Sequence, residues 1–89
     1  MKTRIYKRGI LNRVYKLLLT DADRRNTRVI EEGDLRIGIY DQLTIEYNEC
    51  CFDIDEYLDI RKALETQNFI ENIGYNETGQ YFVLIEDFN

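Results

Sequence analysis

Any chemistry in this chain would fall to carboxylates and two thiols. Asp and Glu number 17 against 12 Lys and Arg, and there is no histidine and no serine. Without histidine the commonest general base and the commonest transition-metal ligand are both missing. Cys50 and Cys51 stand side by side. As nucleophiles they would lack an imidazole base. As metal ligands they lack a second Cys pair or a His to complete a tetrahedral site. Adjacent cysteines seldom close a disulfide, and a secreted framework needs more of them at wider spacing. The expectation is one buried and one half-exposed thiol in a reducing compartment, the cytoplasm.

Two other patterns bear on metal and phosphate chemistry. Asp21, Asp23 and Glu32 match positions 1, 3 and 12 of an EF-hand loop. However, Arg25 stands where a third oxygen ligand belongs and Asn26 where the turn glycine belongs, so no calcium site is expected. No phosphate-binding loop of the G-x-x-x-x-G-K-[ST] type occurs. With this many carboxylates some close pair is inevitable, so no catalytic dyad is assigned. The sequence predicts no catalytic residue, no metal site and no cofactor, and therefore a non-enzyme.

Charge distribution is more informative. Residues 1–28 carry nine basic and two acidic side chains, and residues 29–89 carry three basic and fifteen acidic ones. The total is −5, with a pI near 4.7. Segregated charge of one sign repels itself, and a partner of opposite sign relieves it. Glu46, Glu49, Asp53, Asp55, Glu56 and Asp59 cluster in sequence. If folding gathers them, they offer a field like a run of phosphates, and a groove built of Lys and Arg would receive it. These six are the candidate partner-binding residues. Arg8, Arg13 and Lys16 form an alternative basic surface for self-association or nucleic acid. The acidic pI argues against a dedicated nucleic-acid binder.

The elements that must position these residues follow from periodicity. At 89 residues the chain is one domain, with a globular balance of 44% hydrophobic and 33% charged residues. No apolar run approaches the roughly 20 residues of a membrane span, and no signal-peptide cleavage pattern follows Met1-Lys2-Thr3-Arg4. A first helix is expected over about 4–20, with Ile10, Leu11, Val14, Leu17 and Leu18 on one arc. A polar loop, 20–26, should follow. Residues 28–32 and 35–40 read as a hairpin turning at Gly33-Asp34, and 43–47 as a third strand.

Asp53 and Glu56 form an Asp-x-x-Glu capping box, with Phe52 and Tyr57 as its staple, opening a helix to about Gln67. Arg61 falls on the apolar arc of that helix and is expected to snorkel or to find a carboxylate. Residues 69–75 and 80–86 should form a hairpin around Asn76-Glu77-Thr78-Gly79. The order is αβββαββ, an α+β fold with two helices on an antiparallel sheet. A helix followed by a hairpin also resembles the end of a winged helix, but that reading wants a basic recognition helix and this one is acidic.

In its size, its lack of Pro, His and Trp, its richness in Ile, Asn and Tyr, and the carboxylates named above, the chain resembles the small acidic proteins that phages and mobile elements use against host defence, anti-CRISPR proteins and DNA mimics among them. The resemblance implies an inhibitor acting in the host cytoplasm on a basic nucleic-acid-handling protein. The basic first helix departs from it. The alternative is a small regulatory or dimerisation module.

Overall fold

The structure, a computed structural model, describes residues 5–85. Arg4 and Glu86, drawn into the expected first helix and last strand, lie outside that range. Three helices and three strands follow in the order α1 (Ile10–Arg25), β1 (Val29–Glu31), α2 (Glu32–Tyr47), α3 (Ile54–Thr66), β2 (Ile70–Asn76) and β3 (Gly79–Leu84). The sheet is antiparallel with β3 between β1 and β2. The α+β class therefore stands.

Helix α1 begins one residue after Gly9, which sits in the left-handed region at φ 79° and so ends any helix running in from the N-terminus. It buries Ile10, Val14, Leu18 and Ala22 at i, i+4 spacing. The segment expected as a polar loop is instead its last turn. Arg24 and Arg25 face the negative end of the helix dipole there and pair with Asp21, Arg25 at 3.1 Å. Asn26, at φ 59°, closes the helix.

Residues 35–47 form a helix, not the two strands expected of them. Leu35, Gly38, Ile39, Gln42 and Leu43 share the buried face, a spacing of three and four. The apparent alternation arose from Ile37 and Ile45, which point outward at 58% and 68% exposure. Glu32 and Asp34 occupy the first turn, where acids suit the helix N-terminus. Strand β1 consequently pairs with β3 rather than with its sequence neighbour, matching Ile30 to Phe82.

The capping box at the start of α3 closes in both directions, with the Asp53 N–H donating to Glu56 Oε2 at 3.0 Å. Phe52 stacks on Tyr40, whose ring meets the edge of Tyr57, each pair at 6.1 Å. The terminal hairpin also matches expectation. Asn76 Oδ1 accepts from the Thr78 N–H at 2.8 Å, an Asx turn. Gly74, at φ 99°, marks a bulge in β2.

Arg61 finds its carboxylate through an intermediary. Its guanidinium lies 5.5 Å over the Tyr57 ring and 5.2 Å over Phe82. Its Nη1 donates to the Tyr57 hydroxyl at 3.1 Å, and that hydroxyl donates to Glu32 Oε2 at 2.6 Å. This chain ties the start of α2 to the middle of α3. The core around it joins Leu35, Ile39, Leu43, Ile60, Leu64, Ile70 and Phe82. The element order puts the β2–β3 hairpin directly after α3 in the chain.

Candidate binding face

The six candidate carboxylates do not share one surface. Glu56 is 1% exposed and is consumed by the capping box. Glu46 turns inward from α2. Its carboxylate receives both Nε and Nη2 of Arg13, the latter at 3.0 Å, and Gln42 Nε2 at 2.7 Å. Asp53 is exposed but serves the cap of α3, and its carbonyl accepts from the Tyr40 hydroxyl at 3.4 Å. Glu49 is half-buried in the connector at residues 48–53. Glu46 and Glu56 therefore leave the candidate face. Glu46 is held by Arg13 and Gln42, and Glu56 by the Asp53 N–H.

The Glu46 contacts carry a measurable consequence. The Arg13 hydrogen bond holds the Glu46 carboxyl below its ordinary value, helped by Gln42 and opposed by desolvation. A carboxylate depressed in the fold contributes stability above its unfolded value, and that contribution fades as pH falls through the folded one. Thermal unfolding followed between pH 7 and pH 3 is expected to show a steeper acid loss for the wild type than for Glu46→Gln. Parallel profiles would mean that the pair adds nothing to acid sensitivity.

Asp55 and Asp59 remain, one turn apart on the outer arc of α3, both exposed. Neither makes an ion pair with any described residue. Like charges at this spacing repel by about 0.2–0.5 kcal/mol. Ile54 and Leu58 lie beside them at 45% and 40% exposure, and exposed Lys62 completes the arc. The face is thus a row of carboxylates beside a row of aliphatic groups. Glu71 and Glu77 on the hairpin are exposed as well.

Helix α3 and the β2–β3 hairpin hold only two bases, Arg61 and Lys62, and Arg61 is folded inward. Phosphates would be repelled here.

The alternative basic surface is weakened from within. Arg13 is bound to Glu46 and to the Arg8 carbonyl at 3.0 Å. Arg25 reaches Asp34 at 2.7 Å and Arg28 reaches Asp23 at 2.5 Å. Asp21 and Asp23, the acids of the EF-hand-like spacing, are thereby matched to arginines. Arg8 and Lys16 stay exposed. Asp21 and Asp23 are already counted against the basic residues of 1–28, and Glu46 and Asp34 neutralise two more of those arginines.

Both cysteines are exposed, contrary to the expectation that one would be buried. The reason is that the connector carrying them runs over the surface. Their sulfurs are 3.6 Å apart, and the neighbouring Cys50 raises the pKa of Cys51. Among the described residues no group of three or more Cys, Asp or Glu is placed to hold a metal ion. No described helix is long and apolar enough to cross a membrane.

Family models, curated proteins and solved structures all return no match to this chain.

Proposed function

We propose that this chain is a non-catalytic binding protein that presents the outer face of α3 to a basic partner, acting as an inhibitor that occupies the nucleic-acid-binding groove of that partner. The observation that carries this reading is the exposed Asp55–Asp59 pair, in no ion pair among the described residues, on the helix that a winged helix would offer to DNA. A carboxylate array at that position repels phosphates and attracts the lysines and arginines that bind them. The resemblance to small acidic inhibitors of phages, anti-CRISPR proteins among them, implies the same mode of action.

The test neutralises Asp55 and Asp59 together and leaves Glu56 alone, because Glu56 is part of the cap. Proteins captured from host-cell extract on the immobilised wild-type chain are challenged with salt and with duplex DNA. The captured partner is expected to be basic and to be released by 0.5 M salt, since screening shortens the reach of exposed charges to a few Å. DNA should also displace it, and Asp55→Asn/Asp59→Asn should fail to capture it while keeping the wild-type melting profile. Equal capture by the folded double variant would reject the proposal.

A further inference from the structure

The acidic row of α3 borders a cavity. Between the start of α1 and α3 lies a groove of about 500 Å³, walled by Leu11, Ile60, Ala63 and Phe69, with Asn12 and Asp59 on its rim. That volume falls within the roughly 300–1,000 Å³ typical of ligand sites. We infer that this groove receives the apolar side chains of a basic amphipathic helix, whose lysines or arginines contact Asp55 and Asp59. The inference rests on the acidic-face reading and names what that face alone leaves open, namely the chemistry of the segment that docks.

Three observations select this occupant. First, a surface that only imitated phosphates would have no use for an apolar cleft, yet Asp59 belongs to both the cleft and the acidic row. A ligand seated in the groove therefore meets a carboxylate on leaving it. Second, the base bordering the groove, Lys7, is engaged elsewhere. Its Nζ donates to the Glu46 carbonyl at 2.5 Å and lies 5.1 Å over the Tyr47 ring, so it does not neutralise Asp59. Third, a second copy of this chain, also at −5, brings net repulsion rather than complementarity. A helix with aliphatic groups on one face and cations on the other satisfies wall and rim together, as helix-in-groove recognition does. The cavity of about 420 Å³ between α1 and α2 lacks this logic. Its rim bases Arg24 and Arg25 are already matched by Asp21 and Asp34.

Two synthetic helical peptides of equal positive charge test the inference, one with leucine on its apolar face and one with alanine. Each is titrated into the isotope-labelled chain and followed by amide chemical shifts. The leucine peptide is expected to bind about tenfold tighter or more, as burial of one or two leucines implies, with shifts at Leu11, Ile60, Ala63 and Phe69. Ala63→Gln and Ala63→Trp, which fill the groove, should remove that advantage and leave the weak binding of the alanine peptide unchanged. Two variants are used so that at least one keeps the wild-type melt. Asp55→Asn/Asp59→Asn should weaken both peptides.

Equal affinity for the two peptides, or a leucine advantage that survives in the folded Ala63 variant, overturns the groove while leaving the acidic face standing. Binding of both peptides that ignores Asp55→Asn/Asp59→Asn overturns the acidic face itself. No binding of either peptide overturns both.

Discussion

Truncating Tyr57 to alanine is expected to cost about 3–5 kcal/mol, the range for a large buried ring. A domain of this length has about 4–13 kcal/mol in total. The variant should therefore lose a large share of its stability, visible as a strongly lowered urea midpoint. The reason lies in how much converges on one side chain. Tyr57 is 1% exposed, packs edge-on against Tyr40, and carries Arg36 at 5.2 Å and Arg61 at 5.5 Å over its ring. Its hydroxyl links Glu32 of α2 to Arg61 of α3.

Tyr57→Phe separates the ring from the hydroxyl. It keeps the packing and removes two hydrogen bonds to charged groups, so the expected cost is about 1–3 kcal/mol. Burial, reinforced by the hydrogen bond to Glu32 and opposed by Arg61, pushes the phenol up to about 12 from 10.0. A group whose pKa rises on folding contributes stability that is whole below the unfolded value and fades as pH climbs through the folded one. The gap between wild type and Tyr57→Phe should accordingly be full at pH 8 and shrink between pH 10 and 12. A gap that stays constant to pH 12 would show that the hydroxyl is not held neutral by the fold.

What the sequence disclosed depended on how far each signal reaches along the chain. The capping box at Asp53 and Glu56 and the turn at 76–79 involve a few consecutive residues, and both were legible. Helical spacing placed Asp55, Glu56 and Asp59 together on the outer arc; Asp55 and Asp59 are exposed there, but Glu56 is buried because the cap takes its side chain. Helix α2 was hidden because its buried face holds Gly38 and Gln42, which do not read as core, while its outer face holds Ile37 and Ile45, which do. Leu35, Ile39 and Leu43 carried the true period, but alternating isoleucines masked it. Glu46 looked available because its partner, Arg13, lies 33 residues away, and no local pattern announces such a pair. The groove beside Asp59 was likewise invisible, since its walls come from α1, α3 and the residue before β2.

Gly38 illustrates the same point energetically, and replacing it with valine should be the second most damaging change. In an isolated helix a glycine is about 1 kcal/mol worse than alanine, so sequence alone recommends substitution. In the fold, a Cβ at Gly38 would stand 2.5 Å from Leu18 Cδ2 and 3.5 Å from its Cγ. Leu18 is buried in the core, so its methyl must turn aside to admit the new carbon. Overpacking of this kind costs about 1–3 kcal/mol. For Gly38→Ala the helix-propensity gain offsets part of that, leaving a net loss of up to about 2 kcal/mol. Gly38→Val adds two methyls and a β-branch, and should lose about 2–3 kcal/mol. Gly33, in the first turn of the same helix, has nothing within 4 Å of its virtual Cβ, so Gly33→Ala should gain about 0.4–1 kcal/mol. Urea denaturation of the three variants orders them directly. If Gly38→Ala proves as stabilising as Gly33→Ala, then α1 and α2 do not approach as closely as Leu18 and Gly38 require.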